Sequence, residues 1–269
     1  EVEVGAVTAG DSAGRLLGEF RPNLAALADR VVAPTRPDVL ADHDVVFLAL
    51  PHGASATVAH QLPDNVLILD SGADFRLTDR AAWEHFYGST YAGSWPYGLP
   101  ELPGQRAVLA GTRRIAVPGC YPTAVTLGLL PALTEGLIDG HDVTVAAASG
   151  TSGAGKSPRP DLLATEVVGR MSAYGVGGIH RHVPEILQNL RRLGATDPTV
   201  SFTPMLAPMS RGILAVCTAP VAASATTEQA YRVYRDRYAD EPFVQVLASG
   251  NWPASKSVLG SNAVQIQVT

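Results

Sequence analysis

The sequence predicts an α/β fold for the first half of the chain and an α+β arrangement for the second. Over roughly the first 120 residues, short apolar strands alternate with helix-like stretches, as is typical of a parallel sheet. A long apolar helix begins near residue 120. Beyond it, strands and helices follow each other without that regular alternation, and no internal repeat or flexible linker separates them.

The parallel sheet is predicted from strands at 4–8, 44–50 and 66–70, with a helix at 54–61. The last two strands are continuous apolar runs, so we expect them to be buried on both faces. Ligands of such sheets bind beyond the carboxyl ends of the strands. The candidate ligand loops are therefore Thr8–Ser12, Pro51–Gly53 and Ser71–Arg76. The Gly-, Pro- and aromatic-rich stretch at 87–104 is predicted to be irregular.

The second half is predicted to contain five strands and three further helices. The strands lie at 143–148, 200–204, 212–218, 244–247 and 264–268, and the helices at 161–172, 183–193 and 227–238.

Composition limits the classes of function. The chain has 269 residues, of which 46% are hydrophobic and 17% charged, and its formal net charge is −5. It has no basic stripe that would neutralise phosphates, so we expect no nucleic-acid partner. No apolar run reaches the roughly 20 residues of a membrane span. Two cysteines are too few for a disulfide framework, which favours a reducing, cytoplasmic location.

Cys120 is the candidate nucleophile. It stands in the segment 115–123, IAVPGCYPT, where a short strand runs into a Pro-Gly turn and a helix is about to begin. Pro122 suits the first helical turn. The positive end of a helix favours the thiolate, which is the nucleophilic form. The alternative is a packed structural cysteine, and we assign that role to Cys217 in the apolar run GILAVCTA.

His180, Arg181, His182 and Glu185 form the second candidate cluster, just before a predicted helix. A thiol nucleophile needs a proton acceptor, and imidazole titrates near neutral pH. Glu185 could orient one imidazole. A metal site is the competing interpretation. Two histidines in an H-x-H pattern and one cysteine offer too few ligands at a recognisable spacing, so we expect no metal.

The segment 150–157 matches the phosphate-binding loop pattern G-x-x-x-x-G-K-S, which would indicate a nucleoside triphosphatase. In such a loop the Lys and Ser begin a helix. Here Pro160 forces Arg159 out of the helical region, so the helix starts too late. We therefore expect no ATP hydrolysis, and both a glycine-rich anion-binding loop and a turn without a ligand stay open.

Together these motifs resemble the N-acetyl-gamma-glutamyl-phosphate reductase family. The resemblance covers essentially the whole chain and rests on residues 115–123, with Gly128 and Pro131. It is supported, in the family's order, by LALPHG at 48–53, DSGADFRL at 70–77, YGLPE at 97–101, SGTSGAGK at 149–156 and GIHRHVPE at 178–185. Nothing here matches the family's N-terminal glycine-rich turn or its C-terminal end, so the chain is expected to be a fragment.

The resemblance implies an incomplete Rossmann-like NADP-binding domain at 1–119 and a catalytic and oligomerisation domain at 120–269. It implies reduction of an acyl phosphate through a thioester on Cys120, with His180 as the first choice for acid/base catalysis and His182 and Glu185 in support. It also implies a homo-oligomer, dimer or tetramer. The cofactor-binding residues it implies are Thr8, Ser12, Pro51, His52, Gly53, Ser71, Gly153 and Ala154, and those for substrate are Arg76, Ser149, Arg181 and Arg211, with Lys156 a further anion-binding candidate.

Alternatives remain at this stage. The related reductase that acts on carrier-bound aminoadipyl phosphate in lysine biosynthesis shares much of the pattern. Aspartate-semialdehyde dehydrogenase is a more distant relative with the same thioester chemistry. A non-catalytic nucleotide-binding module is the alternative from another class, and it predicts ATP binding that survives loss of Cys120.

Overall fold

A computed structural model describes residues 2–155, 159–223 and 225–269. Its strands are β1 Thr8–Ala9, β2 Ala33–Pro34, β3 Val45–Leu48, β4 Leu67–Asp70, β5 Arg114–Ala116, β6 Val143–Ser149, β7 Ser172–Ala173, β8 Val200–Leu206, β9 Ile213–Thr218, β10 Val244–Val246 and β11 Val264–Ile266. Its α-helices are α1 Pro37–Leu40, α2 Ser55–Ala59, α3 Arg80–Tyr87, α4 Gln105–Ala110, α5 Cys120–Thr134, α6 Ala164–Val167, α7 Val183–Arg192 and α8 Thr227–Arg237. None of these helices is long and apolar enough to cross a membrane.

The chain divides into two compact units. The first comprises 1–76, 89–98 and 107–117, and the second comprises 77–88, 99–106 and 118–269. Two segments from the first half of the sequence therefore belong to the second unit.

The first unit contains the predicted parallel sheet. Strands β3, β4 and β5 lie side by side and parallel, and β1 pairs in parallel with β2 as a separate two-stranded sheet. The α/β prediction is thus confirmed. The expectation that β3 is buried on both faces is wrong: Val46 and Leu48 lie in the core, whereas Val45 is 41% and Phe47 69% exposed. Successive side chains of a strand point to opposite faces, and only one face of β3 is covered.

The second unit is built on a mixed sheet with the strand order β7-β8-β6-β9. β6 and β8 are parallel, and the other two pairings are antiparallel. Helix α5 packs against β9 and α7, and α7 packs against β8. Since Cys217 lies close to Gly128 of α5, the alternate residues Leu214 and Val216 of β9 point away from the helices, and both are exposed.

The helix predicted at 161–172 is wrong. The segment forms a 3₁₀ turn at Pro160–Leu162, the short helix α6 and the short strand β7. Gly169, with a φ of 79°, lies between α6 and β7. Leu163 and Val168, on either side of α6, are extended, and Gly169 is left-handed, so the segment does not form one continuous helix.

Pro131 interrupts the hydrogen bonding of α5, and α8 compensates for it. Proline has no N–H, so the carbonyl of Leu127, four residues earlier, has no helical donor. The hydroxyl of Tyr238 donates to that carbonyl at 2.6 Å, and the hydroxyl of Tyr234 donates to the carbonyl of Gly128 at 2.6 Å. Both tyrosines are buried, and burial raises the pKa of each phenol. Two phenols, four residues apart on α8, thus hold the middle of α5.

Tyr238→Phe is expected to lower the free energy of unfolding by about 1–3 kcal/mol, because it leaves the buried Leu127 carbonyl without a donor. Chemical denaturation measures the change. The matched control is Tyr231→Phe on the same helix, where the side chain is only partly buried. An equal loss of stability in both variants would contradict the proposed compensation at Pro131.

Candidate active site

Cys120 is the first residue of α5, and its side chain is exposed. Gly119 precedes the helix in an extended conformation, with φ −65° and ψ 149°. The hydroxyl and the N–H of Thr123 both donate to the carbonyl of Gly119, at 2.9 Å each, and so close the first turn. The thiol therefore lies at the positive end of a 15-residue helix.

Helix α7 brings two predicted residues to this turn. The N–H of Gly119 donates to Oε1 of Glu185 at 2.8 Å, and Glu185 is only 1% exposed. A Cβ at position 119 would lie 2.8 Å from Nε2 of His182 and 2.9 Å from Oε2 of Glu185. An imidazole and a carboxylate thus contact the backbone next to the thiol, and only glycine leaves them room.

His180 has different surroundings. Its Nδ1 accepts a hydrogen bond from the N–H of His182 at 3.0 Å, and its ring packs among Tyr121, Tyr174 and Phe202. Burial, aided by the nearby charge of Arg181, lowers the pKa of His180 to about 4. The ring is therefore neutral at pH 7. Because its Nδ1 is an acceptor, its proton resides on Nε2.

A tyrosine pair lies beside His180. The hydroxyls of Tyr121 and Tyr174 are 2.9 Å apart. Tyr121 is buried, and burial is the main cause of the raised pKa of both phenols. Tyr121, the residue after Cys120, is thereby anchored among aromatic rings rather than directed to solvent.

The glycine-rich loop after β6 uses its backbone donors within the protein. The N–H groups of Gly150, Thr151 and Ser152 donate to the carbonyls of Gly212, Met209 and Ser210. A Cβ at Gly150 would lie 2.7 Å from the backbone N of Arg211, so the two loops are in close contact. A phosphate-binding loop needs such N–H groups directed at the anion. These three are directed at carbonyls, which argues against nucleotide phosphate binding as in a triphosphatase.

The four predicted substrate-binding residues lie in different environments. Arg76 is 8% exposed and donates to the carbonyls of Val117 and Ser71 at 2.7 and 2.9 Å. Ser149 is buried and donates to the carbonyl of Gly150. Arg181 is exposed and lies 5.4 Å from the centre of the Tyr87 ring, and Arg211 is also exposed. Lys156 falls outside the described residues.

Comparisons with known proteins agree with this geometry. Residues 1–110 match the model of the semialdehyde dehydrogenase NAD binding domain, and residues 120–269 match that of the semialdehyde dehydrogenase dimerisation domain. Two N-acetyl-gamma-glutamyl-phosphate reductases, from Streptomyces avermitilis and Streptomyces coelicolor, are 61% and 60% identical over 268 residues, which is all of this chain and 78% of each relative. The chain belongs to the N-acetyl-gamma-glutamyl-phosphate reductase family. It is an oxidoreductase of the semialdehyde dehydrogenase type.

Solved structures show the same fold at low sequence identity. Aspartate semialdehyde dehydrogenase from Francisella tularensis aligns with a TM-score of 0.66 at 12% identity, covering 97% of this chain and 81% of that one. The enzyme from Candida albicans, solved with NADP, aligns with a TM-score of 0.63 at 14% identity, covering 95% and 78%.

The residues predicted to bind the dinucleotide in this family member lie at the ends of parallel strands. Thr8 is in β1, and its hydroxyl contacts that of Thr35 at 3.1 Å; Ser12 lies in the turn that follows. Pro51, His52 and Gly53 are exposed after β3. The remaining three, Ser71, Gly153 and Ala154, are exposed, the last two in the loop after β6. Within the first unit, the exposed loop after β3, the exposed Ser71 after β4 and the turn after β1 leave backbone accessible where a dinucleotide is expected.

Asp74 contacts the predicted cofactor-binding segment Pro51–Gly53, and the sequence predicted no role for it by itself. It is 1% exposed, and its carboxylate accepts from the N–H of Gly53 at 2.7 Å and of Ala56 at 3.1 Å. It therefore fixes the 51–56 loop and the start of α2. The signal available in the sequence was an acidic residue inside the candidate ligand loop Ser71–Arg76, within the motif DSGADFRL. Within the described part of the chain, no three His, Cys, Asp or Glu side chains group closely enough to hold a metal ion.

Gly119→Ala is expected to slow alkylation of Cys120 by iodoacetamide at pH 7 about tenfold, the equivalent of about 1.4 kcal/mol, because the new methyl group displaces His182 and Glu185. Alkylation rates by mass spectrometry measure this. Cys217 does not interfere, since burial raises its pKa to about 12.

The control is Gly128→Ala in the same helix, where a Cβ meets only the Cys217 sulfur at an ordinary 3.9 Å. It is expected to leave the alkylation rate unchanged and to stabilise the helix slightly. A wild-type rate for Gly119→Ala would show that the close approach of α7 does not matter to the thiol.

Proposed function

We propose that this chain catalyses NADPH-dependent reduction of N-acetyl-gamma-glutamyl phosphate to N-acetylglutamate semialdehyde, through a thioester on Cys120. The observation that carries this proposal is the exposed thiol at the start of α5, with an imidazole and a buried carboxylate at the preceding residue. The names of the relatives supply the substrate. The product places the reaction in arginine biosynthesis.

The chemistry begins at the thiolate. Its sulfur attacks the acyl carbon, a C–S bond forms, the bond to the phosphate oxygen breaks, and phosphate leaves. When bound, the dinucleotide supplies the hydride that reduces the resulting thioester. The chain's own part is to accept the thiol proton, to hold the acyl group at the end of α5 and to return a proton as the sulfur leaves.

We assign the proton transfer to His182 rather than to His180, the first choice from the sequence. Nε2 of His182 lies beside Gly119, next to the thiol. Glu185, hydrogen-bonded to Gly119, stabilises an imidazolium there. His180 is neutral, and its Nδ1 accepts from the backbone of His182, so we propose that it positions His182 and that its Nε2–H is a donor to substrate.

Two exposed guanidinium groups are the proposed binders of the substrate's anionic groups. Arg181 belongs to the histidine segment, and Arg211 contacts the loop that begins at Ser149. Arginine binds carboxylate and phosphate through paired N–H groups. We propose that Ser149, which is buried and donates to the carbonyl of Gly150, supports the backbone of that loop. Arg76 donates to two carbonyls of the first unit, those of Val117 and Ser71. We therefore propose that its main role is to support the 71–76 loop rather than to bind substrate.

For the cofactor, we propose that NADP lies against the loops after β1, β3 and β4 of the first unit. Gly153 and Ala154 of the second unit stay predicted cofactor-binding residues. The first domain would be 1–119 and the catalytic domain 120–269. An acidic residue in place of Thr8 would select NAD through the ribose hydroxyls, and its absence favours NADP.

We also propose that the chain forms a homo-oligomer, a dimer or tetramer, through the sheet of the second unit. The face of β9 that carries Leu214 and Val216 is exposed and apolar, as expected of an interface between copies. Both cysteines are free, which supports the cytoplasm as the location.

Cys120→Ser is expected to abolish phosphate- or arsenate-dependent reduction of NADP with N-acetylglutamate semialdehyde, because a serine hydroxyl is a far weaker nucleophile than a thiolate. Cys217→Ser is the matched control and should retain activity. NADP reduction by the Cys120→Ser variant would overturn the thioester mechanism. Activity in the wild type with the aminoadipyl aldehyde alone would overturn the substrate assignment.

A further inference from the structure

A second polar contact joins α5 and α7 behind the candidate active site. Nδ2 of Asn189 donates to Oγ1 of Thr126 at 2.9 Å. Both residues are 1% exposed, so this hydrogen bond is formed in the core. Neither side chain reaches the surface where a substrate could bind, and the proposed reaction does not use them.

The contact lies on the same face of α7 as the site residues. His182, Glu185 and Asn189 are spaced by three and four residues, which places them along one stripe of a helix. Glu185 connects this stripe to Gly119 at the start of α5, and Asn189 connects it to Thr126 further along α5. These two hydrogen bonds lie at different positions along the helix axes, so together they fix the rotation of α7 and its position along α5.

Other side-chain hydrogen bonds of α7 lead to segments other than α5: Thr78 donates to Oε1 of Gln188, and Arg192 donates to Oε1 of Gln105. The apolar contacts of α7 do not specify its position along α5 as closely. Ile186 and Leu190, both 0% exposed, supply its apolar contacts. Burial of apolar surface is non-directional, and a small slide between packed helices changes it little. A buried hydrogen bond is directional, and separating its partners leaves two polar groups without water.

Helix α5 is held independently from its other side. Tyr234 and Tyr238 of α8 donate to its carbonyls at Gly128 and Leu127. The position of the thiol is therefore set by α8 and the fold of α5. The position of the imidazole and the carboxylate is set by α7.

We propose that Asn189 is a positioning residue for the thiol–imidazole pair, acting through Thr126. This positioning role rests on the proposed function, because that function needs His182 and Glu185 to be held beside Cys120. Without the bond between Asn189 and Thr126, α7 shifts along α5 and the pair loses its alignment, although the fold remains.

The test measures alkylation of Cys120 by iodoacetamide from pH 5 to 9, which needs neither cofactor nor substrate. Asn189→Leu and Thr126→Val, both close in size to the native residues, are expected to slow alkylation at pH 7 by about threefold to tenfold and to change its pH profile. Thr126→Ser keeps the hydroxyl and is expected to behave as wild type. In turnover assays the two disruptive variants should lower kcat with little change in KM.

Tyr238→Phe is the matched control, since it also removes one buried hydrogen bond from α5, but on the opposite side. It is expected to lower stability and to leave the pH profile of alkylation unchanged. Wild-type profiles for Asn189→Leu and Thr126→Val would overturn the proposal, as would an equal change in Tyr238→Phe. If Asn189→Leu does not fold, the contrast between Thr126→Val and Thr126→Ser decides.

The positioning role and the proposed function can fail separately. If the variants alter alkylation as expected but the wild-type chain releases no phosphate from N-acetyl-gamma-glutamyl phosphate, the positioning role stands and the assigned reaction is wrong. If phosphate is released and the variants match wild type, the assigned reaction stands and Asn189 has no positioning role.

Discussion

The hydrogen bond between the N–H of Gly119 and the carboxylate of Glu185 connects the parts of the candidate site. It joins the residue before the thiol to the second helix of the site, and both groups are buried. A buried carboxylate is costly unless it is paired or hydrogen-bonded, so this contact also explains how Glu185 is tolerated inside the protein. His182 and Glu185 can approach this close because residue 119 is a glycine and has no side chain. The same glycine therefore allows α7 to pack against the start of α5 and leaves room for the imidazole of His182 beside Cys120.

The second unit also stabilises a helix whose sequence contains a residue unfavourable to helices. Helix α5 carries Pro131 in its interior, which should weaken it. The hydroxyls of Tyr238 and Tyr234 donate to the carbonyls of Leu127 and Gly128, so the helix that carries Cys120 at its first residue is held at its middle. Helix α7 carries two polar residues in buried positions, Glu185 and Asn189, and each forms a hydrogen bond, to Gly119 and to Thr126. Polar groups in these positions favour one arrangement of the helices over its neighbours.

Much of this could be predicted from the sequence, for identifiable reasons. Cys120, with a Pro-Gly turn before it and an apolar helix after it, is a local pattern, and the helix starts at that residue. The strands of the parallel sheet follow from continuous apolar runs. The helix expected at 161–172 is wrong because the chain is extended at Leu163 and Val168 and left-handed at Gly169, which the composition of the segment does not reveal. The roles proposed for His180 and His182 could not be separated in advance. Both rings pack against Tyr121, and the roles depend on which ring also contacts Tyr174 and Phe202 and which approaches Gly119. Asp74 and Asn189 act through contacts distant in sequence, which no local spacing reveals.

The central claim is that Cys120 becomes acylated, and intact-protein and peptide mass spectrometry test it most directly. The chain is incubated with N-acetyl-gamma-glutamyl phosphate in the absence of dinucleotide, so that any thioester accumulates. We predict one N-acetylglutamyl group on the peptide containing Cys120, none on the peptide containing Cys217, and one phosphate released for each adduct. Phosphate release with no adduct on Cys120, or an adduct on another residue that persists in Cys120→Ser, would contradict the account.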